Sequence, residues 1–426
     1  IPNTLTQEPR ALGERVLTRR SRAKPIYDCH RYQHTIIWWC FKNLMGIVIV
    51  SLTNTVHGDP IVYLHGVDGV VVEDHVIEAE VNPTNLGKIA VYNSSGVTVQ
   101  NNDIANFRGE AGCTGDSAST ALFDPNLVDC AEADCPTAAC DGKDGVGIRI
   151  VGGAGNKVLD NRIYTIHGGQ GGTGGVKDGD PVADYEAGAG GSSVGLWVEN
   201  STQATLVGNW LHDVGGGQGG HHGRFATGGE GGEALGIDIK GSVAMATLTH
   251  TAISAVYGGA HGGDHGVDYK LPGTSTGVRL GNTPLITLEH LSIYNIGAAE
   301  DYQCGEEEFC APAPMGQAVY LSESASQNVV LKNSVVHQIT GACFASHENN
   351  AVDKFQVQYS SYYNCPNAKS IDAKVLNNTL EANSFFSWPS FVDPGAGDLH
   401  LFPGAVQIDA GDPSSPYCNE PQPNGG

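Results

Sequence analysis

Positive charge is scarce in this sequence. The 426 residues include 23 Lys and Arg against 46 Asp and Glu, which gives a formal net charge of −23. Because phosphate backbones repel so acidic a chain, nucleic-acid binding is excluded as its main function. Met is rare, at 3 residues, and charged residues of both signs make up only 16% of the chain. This composition favours a rigid, sheet-rich secreted protein over a helical cytosolic enzyme.

Long apolar runs are missing as well. The apolar stretch at residues 36–52 is shorter than a membrane span and carries Lys42 and Asn43 at its centre, so it predicts buried strands rather than a membrane helix. The few basic residues are concentrated near the start, where residues 1–42 hold eight Lys or Arg against three acidic side chains. A solvated cap segment at 1–34 is the favoured interpretation. The alternative is a basic head that docks on the acidic body of another copy.

Metal-type cysteine motifs are also absent. None of the 11 Cys forms a CxxC pair, and none stands at zinc-type spacing from His. Loop cysteines at these spacings predict disulfide staples, which place the protein outside the cytosol. We expect Cys113, Cys130, Cys135 and Cys140 to pair among themselves, Cys304 to pair with Cys310, and Cys343 with Cys365 to bridge stacked positions.

Internal repeats dominate the sequence. A short strand with apolar–x–apolar alternation recurs, and a second strand of the form apolar-x-x-x-x-apolar begins about ten residues later. The first strand is centred on Tyr63, Ala90, Arg149, Trp197, Asp238, Arg279 and Tyr320, and copies of the second begin at Val72, Val99, Val158, Leu206, Leu248, Leu288, Leu331, Val357 and Leu380. The residues before the first strand, Gly195, Gly236, Gly277 and Ala318, stand 41 apart three times running.

Two strands per unit without helical periodicity predict a solenoid. Uninterrupted copies take 23–27 residues, enough for one three-sided coil of a parallel β-helix. Asn102, Asn161 and Asn209 occupy one repeat position on successive coils and predict an inward amide ladder. In these features the sequence resembles the right-handed parallel β-helix superfamily that includes pectate lyases. We expect an all-β fold of about ten coils over 35–388, with 389–426 as a C-terminal closing segment.

Long insertions follow the second strand at one corner of the solenoid. They span 108–145, 167–193, 214–234, 257–276 and 297–317, and the middle three contain 26 Gly in 68 residues. One interpretation is a set of flexible surface linkers. The favoured interpretation is ordered packing of stacked loops as threefold extended helices, with Gly wherever backbones touch. Such packing resembles the glycine-rich sandwiches on some phage tail-fibre adhesins.

Outward positions of the first strand form two columns along the solenoid. The second column reads His65, Tyr92, Val151, Glu199, Lys240, Gly281 and Ser322, beside the first-strand centres named above. Because coils lie about 4.8 Å apart, the charged and aromatic residues of successive coils are expected to cluster. One interpretation is a solvated strand face with ordinary cross-strand pairs.

The resemblance implies a second interpretation, because in β-helix lyases this face is the sugar-binding cleft. Lys240 is then the base that removes a proton alpha to a uronate carboxylate, and Arg279 is the acid or carboxylate clamp. Glu199 and Asp238 are then ligands of a Ca²⁺ ion that neutralises the carboxylate. Sugar contacts are then made by Arg149, Trp197 and Tyr320. No glycosidase pair or esterase motif is recognisable, and Lys and Arg are scarce for an anionic sugar.

Two further groups of residues are weaker metal candidates. Histidines of the Gly-rich loops suit a transition metal, and oxygen-rich stretches suit Ca²⁺. These are His212, His221, His222, His261 and His265, and then Asp178, Asp180, Asp184 and residues 306–308. The sequence predicts a secreted or cell-surface structural or adhesive protein, whose partner is a polysaccharide or another copy of itself. The alternative is a lyase of a uronate-containing polymer, for which calcium is the implied cofactor.

Overall fold

The computed structural model describes residues 37–39, 47–50 and 62–414, the last range with gaps. The gaps are 79–80, 83–86, 114–138, 175–185, 222–227, 242, 263–270, 299–315, 323–328, 347–354, 366–368, 372–380, 383–386, 409 and 413. These described residues form 31 strands and one 3₁₀ turn, and no α-helix occurs among them. Predictions for the cap segment 1–34, for Cys130, Cys135, Cys304 and Cys310, and for the acidic stretches at 178–184 and 306–308 lie outside this part.

Most strands belong to three long sheets, each running along the molecule. The first sheet has the order β1 (Ile37–Trp39), β2 (Ile47–Val50), β3 (Val62–His65), β7 (Ile89–Tyr92), β10 (Gly145–Val151), β13 (Ser193–Glu199), β16 (Ala234–Lys240), β19 (Ser275–Leu280), β22 (Gly316–Leu321), β25 (Ala342–Ser346) and β28 (Lys369–Ile371). Its pairs from β3 onward are parallel, whereas β1, β2 and β3 pair antiparallel.

The second and third sheets are parallel throughout. The second has the order β4 (Val71–Glu73), β8 (Thr98–Gln100), β11 (Asn156–Leu159), β14 (Gln203–Val207), β17 (Met245–Thr249), β20 (Ile286–Glu289), β23 (Val329–Lys332), β26 (Phe355–Gln358) and β29 (Glu381–Ala382). The third has the order β5 (Val76–Glu78), β9 (Asp103–Gly109), β12 (Arg162–His167), β15 (Trp210–Gly215), β18 (Ala252–Gly258), β21 (Ser292–Ala298), β24 (Val335–Ile339) and β27 (Ser361–Tyr363), and β6 (Val81–Asn82) also pairs with β9.

Each coil contributes one strand to each sheet, so the chain is a right-handed parallel β-helix, as the repeats predicted. Alternate side chains point into the solenoid, where Ile148, Ile150, Val158, Ile163 and Ile166 of a single coil are fully buried. This apolar stack continues along the solenoid as one core. The number of coils stays a prediction.

The apolar-x-x-x-x-apolar pattern covers two strands rather than one. In the coil of β11 and β12, Asp160 adopts a left-handed conformation (φ 54°) and turns the chain between the second and third sheets. Asn101, His250 and Asn333 do the same at this corner of other coils. Because the turn takes so few residues, the two strands look like a single strand in the sequence pattern.

The inward asparagine ladder follows directly after these turns. Asn102 donates from Nδ2 to Oδ1 of Asn161 (2.9 Å), and Asn161 donates from Nδ2 to Oδ1 of Asn209 (3.0 Å). Each amide also donates to a carbonyl of the preceding coil, as Asn161 does to Val99 (3.0 Å). All three residues are buried, and the bonds satisfy their polar groups inside the core.

A disulfide and a C-terminal hairpin also contribute to the solenoid. Cys343 and Cys365 form a disulfide with Cα atoms 5.6 Å apart, which confirms the predicted bridge. β30 (Phe391–Asp393), a 3₁₀ turn (Pro394–Ala396) and β31 (Asp398–Leu401) form an antiparallel hairpin that packs on the outward side of the third sheet. Within the residues covered by the structure, no helix is long and apolar enough to cross a membrane.

Candidate functional site

The glycine-rich insertions form a second ordered body beside the solenoid, which we call the glycine layer. Each insertion leaves the end of a third-sheet strand and returns to the start of the next first-sheet strand. The described outgoing segments are 109–113, 168–174, 215–221 and 258–262, and the described return segments are 139–144, 186–192, 228–233 and 271–274. The expectation that stacked loops pack on one another is therefore confirmed for these segments.

Backbone hydrogen bonds hold the layer together in two directions. Along one row, Gly168, Gly171 and Gly174 donate to the carbonyls of residues 215, 218 and 221 in the next outgoing segment (2.8–2.9 Å). Between rows, Gly217 N donates to Gly191 O, and Gly232 N donates to Gly217 O, each at 2.8 Å. The three-residue repeat of these bonds is that of a threefold extended helix.

Glycine is required in this layer by the closeness of the backbones. A Cβ built on Gly217 stands 1.9 Å from the carbonyl oxygen of Gly169, and one built on Gly219 stands 2.0 Å from that of Gly229. Real Cβ atoms do not approach backbone oxygens so closely, so any side chain at these positions separates neighbouring segments.

The first insertion departs from glycine where it stands at the open edge of the described layer. Glu110 and Cys113 occupy the positions of Gly169 and Gly172 in the next segment, whose Cβ positions would meet the Glu110 and Cys113 carbonyl oxygens at 2.0 and 1.8 Å. Both side chains are half-buried, and Cys113 forms a disulfide with Cys140 of the return segment, with Cα atoms 4.9 Å apart.

The last described return segment carries a proline. Gly142, Gly190 and Gly231 each donate to the next return segment, and the last of these bonds reaches Leu271 O (3.2 Å). Pro272 occupies the equivalent position in the segment 271–274. Proline has no N–H, so this segment presents no donor at that position.

One residue in three keeps its side chain on the outer surface of the layer. On the outgoing row these residues are Ala111, Gln170, Gln218 and Ala260, and on the return row they are Asp141, Ala189, Glu230 and Leu271. Gln218, Asp141, Glu230 and Leu271 are exposed, while the glycines between them are mostly buried. The layer therefore displays variable side chains on a backbone that is held mainly by its own hydrogen bonds. Asp141 is an exception, because its Oδ1 accepts from Ala189 N of the next return segment (2.7 Å).

The predicted first-strand face is a ladder of mutually paired groups. Strand register places Arg149 beside Trp197, Trp197 beside Asp238, and Glu199 beside Lys240. The Arg149 guanidinium lies 4.1 Å from the Trp197 ring centre and 3.7 Å from Glu199. Lys240 Nζ lies 3.9 Å from the same ring centre and 3.9 Å from Asp238. The indole is thus flanked by cations from the coils before and after it.

Arg279 is bound more tightly than the other cations of this face. Its Nε and Nη2 donate to the two carboxylate oxygens of Asp238 (2.9 and 2.8 Å), and its Nη1 donates to Glu233 (2.6 Å). Burial of Arg279 disfavours its charged form, but the hydrogen bonds and charges of Asp238 and Glu233 outweigh burial and raise its pKa above the ordinary value. Asp238 has no exposed surface. Bidentate pairs of this kind fix both partners.

These contacts locate every predicted residue of the site. Arg149, Trp197, Glu199, Asp238, Lys240, Arg279 and Tyr320 lie on one face, and Tyr320 pairs in register with Arg279. Trp197 Nε1 is buried and has no hydrogen-bond partner among the described residues. The roles of base, clamp, sugar contact and calcium ligand stay predictions, and the arrangement engages the predicted base and clamp with neighbouring carboxylates.

Sequence reasoning missed Glu233, the second carboxylate on Arg279. It ends a glycine-rich return segment, directly before β16. The sequence pattern therefore places it in the insertion rather than on the first-strand face. Its signal was its position: Asp144, Ser192 and Thr274 stand at the same place before their own strands, and Thr274 Oγ1 donates to Glu233 (3.3 Å).

The predicted histidine cluster does not converge. His212 lies on the third sheet, where its Nδ1 is 2.9 Å from Ser254 Oγ, whereas His221 and His261 lie in the layer. His222 and His265 lie outside the described residues. In the part that the structure covers, no three His, Cys, Asp or Glu side chains are placed to hold a metal ion, Glu199 and Asp238 included.

No family model and no curated protein matches this chain.

Proposed function

We propose that this protein is an extracellular structural and adhesive β-helix, and that it recognises a polysaccharide through the outer surface of the glycine layer. The observation that carries the proposal is that backbone groups hold the layer together while outer side chains remain exposed. Backbone bonds hold the segments, which leaves exposed side chains such as Gln218 and Glu230 available for contacts with a partner. A surface of this kind keeps its shape while its chemistry varies.

The chemistry of that surface favours a polyhydroxylated partner. Gln170 and Gln218 stand in register on the outgoing row, and Glu230 is exposed on the return row, so the outer surface carries amides and a carboxylate. Such groups donate to and accept from sugar hydroxyls. The formal charge of −23 disfavours polyanionic partners such as polyuronates.

The lyase alternative has less support. A lyase base on this fold must be free to take a proton, and Lys240 is held between Trp197 and Asp238. A carboxylate clamp must be free to bind substrate, and Arg279 already binds two carboxylates. Membership of the pectate-lyase-like superfamily is consistent with the fold and is part of the proposal, without the catalytic activity of that group.

Two disulfides support the extracellular placement in this proposal. The disulfides Cys113–Cys140 and Cys343–Cys365 persist in oxidising compartments and are rare in the cytosol. One of them closes the open edge of the layer, where a reduced pair would leave two segments held by backbone bonds alone.

Glycan-array binding by the full chain tests the proposal. We expect the double variant Q170A/Q218A to lose at least tenfold in affinity for any glycan that the wild type binds, because two in-register contacts are removed. The matched control is Q203A, which removes an exposed amide from the second sheet, and W197A probes the first-strand face. Both are expected to bind like the wild type.

The same preparation is incubated with a panel of uronate polymers and followed at the absorbance of the unsaturated product. No product is expected. Product formation that K240A abolishes would establish the lyase alternative, and binding lost in W197A but kept in Q170A/Q218A would move recognition to the first-strand face.

A further inference from the structure

The C-terminal hairpin covers a row of rings on the third sheet. One outward position of this sheet is occupied by a ring in every coil but one. The residues in register there are Tyr164, His212, Ser254, Tyr294, His337 and Tyr363. Phe391 and Leu399 of the hairpin are buried against this side, together with Trp210 and Ala252. The described residues 388–408 and 410–412, which we call the closing segment from here on, therefore lie along the solenoid as a strap.

His337 lies under this strap with both ring nitrogens buried. It is 2% exposed, and neither ring nitrogen has a hydrogen-bond partner among the described residues. Tyr294 and Tyr363 flank it along the sheet, with ring centres at 5.5 and 5.7 Å. Trp388 and Phe391 of the closing segment cover it, with ring centres at 4.7 and 6.4 Å.

None of the four rings around His337 carries a carboxylate, ammonium or guanidinium group. Burial raises the pKa of Tyr294 above its ordinary value, and Trp388 and Phe391 have no titratable group. Burial alone therefore acts on the imidazole and lowers the pKa of His337 from 6.5 to about 4. A proton on this ring would be a buried charge with no described partner.

A second histidine under the strap has the same tendency. His212 stacks on Trp210 with ring centres 5.4 Å apart, and Trp210 donates from Nε1 to Gly397 O of the hairpin (2.9 Å). Burial lowers the pKa of His212, against the opposing charge of Asp213. Burial thus disfavours a proton on either imidazole while the strap is closed.

The remaining anchors of the strap keep their charge in mild acid. Lys332 forms an ion pair with Asp412, whose backbone N donates to Asn333 Oδ1 (2.7 Å). The hydrogen bond from Lys332, together with those from Ser414, lowers the pKa of Asp412 to about 2. On the hairpin itself, burial raises the pKa of Asp398, but the hydrogen bonds and charge of His400 outweigh it, so the net shift is downward.

We propose that the closing segment is an acid-released strap, which detaches from the third sheet when His337 is protonated and exposes the row of rings beneath it. The histidine is depressed in the closed state, so its contribution to closure is complete above pH 6.5 and is lost as the pH falls towards 4. Within that window the open state binds one more proton, and its population rises about tenfold per pH unit.

Hydrogen exchange of the full chain at pH 7.0 and pH 5.0, corrected for intrinsic rates, tests this proposal. The reporter is the hairpin, including the Phe402 amide that donates to Ser390 O, and the reference is β15 in the same sheet. We expect hairpin amides to lose at least tenfold in protection at pH 5.0 in the wild type, and β15 amides to lose none.

Two variants that cannot be protonated assign the effect. H337F and H337Q are expected to keep the hairpin protected at pH 5.0, and the second serves if the first fails to fold. H65F makes the same change on the exposed first-sheet face and should respond like the wild type. Equal hairpin protection of the wild type at both pH values would overturn the proposal. So would an unchanged acid response in H337F and H337Q, or a response that only H400Q removes.

Discussion

The solenoid and the glycine layer stack segments along the same axis, but different atoms hold them. In the solenoid, buried side chains such as Ile148 and Leu196 fill the interior and asparagine amides link the coils. In the layer, adjacent backbones approach too closely for any side chain between them. The solenoid is therefore stabilised residue by residue, whereas the layer is stabilised only as a whole.

Magnitudes support this difference. Ordering one backbone residue costs about 1–2 kcal/mol, and Gly loses the most freedom. A net hydrogen bond returns about 0.5–1.5 kcal/mol, so a single glycine segment with one neighbour is marginal. Segments such as 215–221 bond to neighbours on both sides and to the other row. Damage to one segment should therefore spread to others, which the solenoid should not show.

The largest effect is expected from a Cβ inside the layer. In G219V the new side chain meets Gly229 O, which accepts a hydrogen bond from Gly262 N of the next insertion (2.8 Å). We expect more than tenfold loss of amide protection in both 215–221 and 258–262, since moving Gly229 breaks bonds in two insertions. Hydrogen exchange of the purified protein measures this loss.

Q218V is the matched control for G219V. It places the same side chain one residue earlier, on the outer surface, where Gln218 is exposed. Protection should stay at the wild-type level throughout the layer. If both variants lose protection alike, bulk or β-propensity would explain the loss, and close backbone packing would not.

A smaller and more local effect is expected inside the solenoid. N161A removes the acceptor of the Asn102 backbone N–H (3.0 Å) and the donor to Val99 O (3.0 Å). Two buried groups then each lose a hydrogen-bond partner, which costs about 2–6 kcal/mol of unfolding free energy at about 1–3 kcal/mol each. Denaturant titration measures the loss, while layer amides keep their protection.

N161S serves as the conservative variant. Serine performs this role in later coils, where Ser334 N donates to Ser360 Oγ (3.1 Å), so N161S should recover part of the stability. A loss in N161S as large as in N161A, or a cost below about 0.5 kcal/mol in N161A, would show that the ladder contributes little.

Much of the fold was readable because a solenoid repeats its inward pattern. Apolar–x–apolar copies such as Ile148–Ile150 and Leu196–Val198 predicted the first sheet, and the asparagines predicted the ladder. The sequence did not show where the second sheet ends and the third begins. A single left-handed residue such as Asp160 makes the turn between them, and no glycine or proline marks the turn at Asp160.

The sequence predicted where the residues of the site lie, but not which side chains pair with one another. Register arithmetic placed Trp197, Asp238 and Arg279 side by side, because a parallel sheet keeps equivalent positions together. It did not reveal that Glu233 completes the pairing of Arg279, since this residue belongs to a glycine-rich insertion in the sequence pattern. The glycine count indicated packing, whereas the choice of Glu110 and Cys113 at an edge required the neighbouring segments to be known.

Native-state hydrogen exchange of the wild-type glycine layer tests the central claim most directly. If backbone bonds hold the layer, amides of Gly171, Gly217, Gly232 and Gly259, each with a carbonyl partner at 2.8 Å, will exchange at least a hundredfold more slowly than in free peptide. Exchange of these amides at the rate of free peptide, in a protein whose sheet amides remain protected, would contradict the account and remove the support for adhesion through the layer.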